Sequence, residues 1–152
     1  MAIDPSVIGK ELPPAELLVE RGRLRLFCRA IGETDPVYLD VATARRAGHP
    51  DLPVPPTFFT AVGHERPDPF DWLAELGVGL AEVLHGEQEF TYHAMAYAGD
   101  RLVMRSRISD AYSKKGGALD FIVRDSTVVR LDGRAIADLR DTIVVRNPEP
   151  AR

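Results

Sequence analysis

Four long segments in the second half of the chain constrain its fold more than any other feature: QEFTYHAMAYAG (residues 88–99), DRLVMRSRISDAY (100–112), ALDFIVRDSTVVRL (118–131) and RAIADLRDTIVVR (134–146). Along most of each, apolar and polar residues alternate, and a period of two places the apolar set on one face of a strand. A helix would need an apolar stripe with a period of about 3.6 instead. The segments are separated by Ala98-Gly99-Asp100, Lys115-Gly116-Gly117 and Asp132-Gly133. The last two favour tight hairpins, because glycine reaches the positive φ that such turns need. The prediction is an antiparallel meander.

The first half is read differently. Residues 1–13 form a weakly structured lead-in, matched by weakly ordered residues 147–152 at the other end, and PAELLVE (14–20) is a short first strand. In RGRLRLFCRAIG, Leu24, Phe27, Cys28 and Ile31 follow helical spacing while Arg21, Arg25 and Arg29 share the opposite side, so a half-buried helix runs from Arg21 to a stop at Gly32. VATARRAG (41–48) is a second short helix, capped by Asp40. HPDLPVPP holds four prolines in eight residues and is extended loop. PTFFTAVG (56–63) is nearly continuous apolar surface; Pro56 in its first turn favours a buried helix. DPFDWLAELG is a further amphipathic piece.

Helices followed by long antiparallel strands predict an α+β domain in which one sheet covers one buried helix, and only 56–63 is apolar enough to be that filling. The whole chain of 152 residues fits one domain with a single core. Its formal charge of −4 and the lack of aromatics interleaved with Lys or Arg exclude a broad nucleic-acid-binding field. No apolar run reaches the ~18 residues of a membrane span and no signal architecture opens the chain, which predicts a cytoplasmic protein with no membrane partner. The single cysteine, Cys28, lies on the apolar helix face and reads as core. None of the four histidines shows metal-ligand spacing.

Four motifs occur in order: IGETDPVYLD (31–40), AGHPDLPVPPTF (47–58), HGEQEFTYH (85–93) and AGDRL (98–102). Together they resemble the N-terminal dehydratase domain of the MaoC-like dehydratase and hydratase family, and cover nearly the whole chain. The resemblance implies a hot-dog fold, an antiparallel sheet wrapped around a long central helix. It further implies action on acyl thioesters of coenzyme A or acyl carrier protein, interconverting 2-enoyl and (R)-3-hydroxyacyl groups, with no cofactor beyond the thioester itself.

That family's catalytic signature reads G-D-x-N-P-x-H; here Glu33 stands at the aspartate and Tyr38 at the histidine. Dehydration needs a base for the proton alpha to the thioester, an acid for the leaving hydroxyl, and donors for the enolate-like oxygen. Glu33 is one methylene longer than aspartate. Tyr38, with an ordinary pKa of about 10, is a hydrogen-bond donor and a poor base at neutral pH. In the resembling domains the same G-E-T-D-P-V-Y occurs beside a second hot-dog unit that retains the Asp/His pair, fused or as a separate subunit. Two readings therefore follow for Glu33 and Tyr38: direct catalysis, or a structural and substrate-lining role in a substrate-accommodating half. Asp35 organises the turn before Pro36 or contacts substrate.

If Pro56 opens the buried helix, two readings follow: the amides of Thr57, Phe58 and Phe59 are open donors at its positive end, suited to a thioester carbonyl, or Thr57 merely caps a core helix. His85 is either placed at a tunnel mouth or simply solvated. His93 falls on the opposite sheet face from Phe90 and Tyr92, and His49 and His64 lie in loops. Arg45-Arg46 and Lys114-Lys115 are either binders of coenzyme A phosphates or solvated surface. Three function classes result: a hydro-lyase component, a non-catalytic acyl-thioester binding protein or scaffold, and a thioesterase. The last ranks lowest because PTFFTAV carries no carboxylate before Glu65. A homodimer, or a heterodimer with a catalytic MaoC-like subunit, is expected, since an open sheet edge invites pairing.

Overall fold

The computed structural model describes residues 3–147. Five strands form one antiparallel sheet: β1 (Glu11–Leu18), β2 (Val83–Tyr92), β3 (Arg101–Lys114), β4 (Leu119–Arg130) and β5 (Ala135–Arg146), in the spatial order β1-β3-β4-β5-β2. Three α-helices accompany them: α1 (Arg21–Ile31), α2 (Val41–Arg46) and α3 (Asp71–Glu75). A 3-10 helix, Pro56–His64, fills the concave side of the sheet.

The meander holds for β3, β4 and β5, which pair as successive hairpins. It fails for the first of the four alternating segments. β2 begins at Val83 and ends at Tyr92, and it pairs with β5 at the far edge rather than with β3. The alternation of residues 93–99 is matched instead by the proline-rich loop: Pro53 bridges Tyr97, Val54 N–H donates to the Ala96 carbonyl at 2.9 Å and Ala98 N–H to the Leu52 carbonyl at 2.9 Å. Alternation reports a strand-like backbone with one buried face, and does not say which neighbour supplies the hydrogen bonds.

The lead-in is more ordered than the sequence suggested. Pro5–Val7 forms a 3-10 turn capped by Asp4, and β1 starts at Glu11, before the predicted strand. Pro13 and Pro14 fall at its register shift on the open edge, where prolines are tolerated. Asp120 ties both ends down, accepting from Ile3 N–H at 3.2 Å and from the Asn147 side chain at 2.7 Å. The weak order expected of 148–152 falls outside the described residues.

α1 ends as expected at Gly32, whose φ of 73° takes the left-handed conformation that closes the helix. Leu24 and Cys28 are buried, but Ile31 is 51% exposed, because the last residue of the helix reaches beyond the core. The central helix also departs from expectation: it has nine residues and is wound as a 3-10 helix, not a long α-helix. Such helices seldom exceed three or four residues. Here Pro55 and Pro56 set its entry, and burial of Phe58, Phe59 and Val62, worth roughly 1.5–3 kcal/mol each, outweighs the poorer hydrogen-bond geometry. Gly63 lets it approach the sheet closely: a Cβ there would lie 3.2 Å from Met104 Sδ.

Candidate active site

A cavity of about 680 Å³ lies between the central helix, α3 and the concave face of β2, β5 and β4. Its volume is ordinary for a small-molecule site. Exposed Thr57, His64, Leu84 and His85 form its rim, while Trp72, Leu139, Asp141 and Ile143 are buried at its floor. His85 reaches the rim because β2 is bulged at Gly86, between register partners His85/Ile143 and Glu87/Thr142. Only glycine fits there, since a Cβ would come within 2.9 Å of both the Thr142 carbonyl and Val144 Cγ2.

The floor carries a band of polar side chains set into apolar strands. Gln88, Asp141 and Arg124 are neighbours by register across β2, β5 and β4. Arg124 Nε donates to Asp141 Oδ1 at 2.9 Å, and its guanidinium carbon stands 5.4 Å from the centre of the Trp72 ring. Ser126, next on the same face of β4, shares a hydrogen bond with Ser106 across β3 at 2.7 Å. A second concavity of about 610 Å³ mixes apolar groups such as Leu12 and Pro14 with charged side chains such as Arg105 and the bidentate Arg140/Asp125 pair, at 2.7 and 2.9 Å.

The GETDPVY loop lies outside the cavity lining and is fastened by its own polar groups. Glu33 N–H donates to the Cys28 carbonyl at 2.8 Å, Glu33 Oε1 accepts from Asp35 N–H at 2.8 Å, and Asp35 Oδ1 accepts from Val37 N–H at 2.9 Å. Arg25 Nε pins the far end through the Leu39 carbonyl at 2.9 Å. Tyr38 is half-buried, and that burial, with the charges of Glu33 and Asp35 adding to it, pushes its phenol above the ordinary tyrosine value. It therefore holds its proton at neutral pH even more firmly than a free tyrosine.

Of the residues singled out from sequence, the cavity brings together Thr57 and His85, whereas Glu33, Asp35 and Tyr38 stand apart from it. Phe58 lies one layer behind, edge-on to the cavity-lining Phe27 at 5.3 Å between ring centres. Its amide is not the open donor expected: the 3-10 winding has Phe58 N–H donate to the Pro55 carbonyl at 3.0 Å. Sequence reasoning missed Trp72, Arg124 and Asp141 as site residues. The available signal was polar residues interrupting apolar same-face series, Ile122-Arg124-Ser126-Val128 and Leu139-Asp141-Ile143.

The family described as FAS1-like, dehydratase domain region, matches residues 6–139. The chain belongs to that family. A UPF0336 protein of Saccharopolyspora erythraea is 33% identical to this FAS1-like dehydratase-region chain over 147 residues, 96% of this chain and 93% of its own. Among solved structures, the C-terminally truncated HadBC (3R-hydroxyacyl-ACP dehydratase) complex of Mycobacterium tuberculosis superposes with a TM-score of 0.78 at 24% identity, covering 91% of this chain and 96% of the matched one. A MaoC-like dehydratase superposes with a TM-score of 0.80 at 23% identity, covering 95% of this chain but 43% of the longer protein. The fold is that of the MaoC-like hot-dog dehydratases, as the motifs implied.

In this FAS1-like domain no helix of the described residues is long and apolar enough to cross a membrane. Nor do three or more His, Cys, Asp or Glu side chains converge among the described residues in a group able to hold a metal ion.

Proposed function

We propose that this chain is the substrate-accommodating subunit of an (R)-specific 2-enoyl/3-hydroxyacyl thioester dehydratase or hydratase, working beside a MaoC-like partner that carries an intact Asp/His pair. The observation that carries this reading is the separation of two parts. An apolar cavity suited to an acyl chain is present, while the motif loop that would supply acid and base keeps Glu33 on its own backbone and Tyr38 protonated.

In the reaction, the C2–H and C3–O bonds break, the C2=C3 bond forms and water leaves; addition runs the same path backwards. A group must take the C2 proton and another must protonate the leaving oxygen. Tyr38 suits the donor role alone. This chain's contribution is then to hold the acyl group against the sheet, with Thr57 and His85 at the entrance, and to exclude water around it. The family assignment supports the substrate class, and the likeness to a two-component dehydratase such as HadBC supports the partner.

The test is hydration of crotonyl-CoA, followed by loss of enoyl-thioester absorbance, by the purified chain alone and with a co-expressed MaoC-like subunit that retains Asp and His. Activity only in the mixture is expected. Turnover by the chain alone would overturn the division of labour, and inactivity in every combination would overturn the reading itself.

A further inference from the structure

The cavity floor is built for an oxygen atom that a plain hydrocarbon chain does not have. Trp72 is 2% exposed, and its indole Nε1 has no hydrogen-bond partner among the described residues. Arg124 uses Nε on Asp141, and its two terminal nitrogens meet no acceptor among the described residues. Asp141 accepts through Oδ1, and its Oδ2, with no donor among the described residues, is free to accept from a group in the cavity that the residue lines. Buried polar groups are normally satisfied, and the Trp72 indole is the one sealed side-chain N or O atom among the described residues left without a partner; the Arg124 and Asp141 atoms beside it are open to the cavity and await a ligand or water. All three residues line the same space.

Donors on one side and an acceptor on the other match a group that both accepts and donates. We propose that the acyl chain bound here carries a hydroxyl group beyond the reacting carbons, whose oxygen accepts from Trp72 Nε1–H and Arg124 and whose proton goes to Asp141. The inference rests on the acyl-thioester reading above and narrows it to hydroxylated chains. A hydroxyl fits better than a carboxylate, which would face Asp141 with like charge. It also fits better than a lone carbonyl, which offers Asp141 no proton. A void of about 20 Å³ beside Trp72, bordered by Arg124, is large enough for one water molecule, the competing way to satisfy the indole.

Trp72 is the only tryptophan in the chain, so any change in tryptophan fluorescence on adding a ligand comes from this wall of the cavity. Octanoyl-CoA and its mid-chain and terminal hydroxy derivatives are titrated into the full chain, with fluorescence for site and calorimetry for affinity. At least one hydroxy derivative is expected to bind on the order of tenfold more tightly than octanoyl-CoA, with a larger fluorescence change. Trp72→Phe and Arg124→Met, followed by calorimetry, are expected to bring the ratio of hydroxy-derivative to octanoyl-CoA affinity towards one; an undiminished ratio in both folded variants overturns the inference. The wild-type comparison stands even if a variant fails to fold. Equal affinities for plain and hydroxylated chains, with Trp72 responding to both, overturn this inference and leave the acyl-thioester reading standing, with water on the indole. No fluorescence response to any thioester overturns both.

Discussion

The pair formed by Arg124 and Asp141 offers the sharpest quantitative test of the cavity floor. The two side chains are not equally buried: 24% of the Arg124 side chain is exposed, through the cavity, against 5% for Asp141. Removing one partner of a buried ion pair costs about 3–5 kcal/mol, because the remaining charge is left without compensation. Arg124→Met strands the carboxylate in the more enclosed position and is expected to lie within that range. Asp141→Leu strands a guanidinium that still reaches the cavity and stacks on Trp72, so about 2 kcal/mol is expected. For a chain of this length, about 2–4 °C of melting temperature accompanies each kcal/mol, giving a loss of roughly 10 °C for Arg124→Met and 5 °C for Asp141→Leu.

The double substitution removes both charges and puts apolar groups on an apolar face. It is expected to return to within about 1 kcal/mol of the wild type, a coupling of several kcal/mol between the two positions. Urea unfolding of all four proteins at neutral pH measures the cycle. Effects that add within about 0.5 kcal/mol, or an Asp141→Leu loss as large as that of Arg124→Met, would refute the picture of an enclosed pair with one open side. If the cycle closes as expected, the pair is dispensable for stability, and a reason for its presence lies in what the cavity binds.

Three further outcomes follow from the structure. Glu33→Ala and Tyr38→Phe are expected to leave turnover of the assembled dehydratase within a few fold, since loss of a working acid or base lowers the rate about 10²–10⁴-fold; steady-state kinetics of the mixture decides. Asp120 is buried, which alone would raise its pKa, but hydrogen bonds from Asn147, Ser113 and Ile3 bring it below the ordinary aspartate value. A carboxyl with a depressed folded pKa stabilises above its unfolded value of about 3.9 and loses that contribution as pH falls through the folded value. Chemical unfolding of wild type and Asp120→Asn at neutral and acid pH should therefore show a difference of on the order of 1–3 kcal/mol near neutrality that shrinks in acid; a constant difference contradicts it. Gly86→Ala forces a Cβ into the Thr142 carbonyl and is expected to destabilise by about 1–3 kcal/mol, with faster amide exchange along β2 than along β3; uniform exchange would show that the bulge is not where the strain falls.

The strands of the second half were legible because their apolar faces and their glycine turns specify the same hairpins independently. Lys115, Gly116, Gly117 and Gly133 all take positive φ in the two turns that close β3 to β4 and β4 to β5. The place of β2 was not legible, because residues 88–99 alternate whether their partner is a sheet or the Leu52–Val54 loop, and pairing partners are a tertiary choice. The winding of Pro56–His64 was hidden for a related reason: apolar residues in a short buried segment fit more than one helical period, and packing selects among them.

The site divides along the same line. Thr57 and His85 could be placed from motif and local chemistry, since each sits where its own segment begins or bends. The floor could not, because Trp72, Arg124 and Asp141 come from three distant segments and acquire meaning only when the sheet register brings them together. What the sequence did display was the anomaly: an arginine and an aspartate on strand faces otherwise filled by Ile122, Val128, Leu139 and Ile143. Charges are seldom placed on an apolar face without a partner, and these two are register neighbours on adjacent hairpin strands. Next to the Asp132-Gly133 turn Val129 pairs with Ala135, and a one-residue shift of register beyond it sets Arg124 opposite Asp141. Polar interruptions of an apolar strand face thus mark that a partner must exist, while the bulge in the hairpin decides which residue it is.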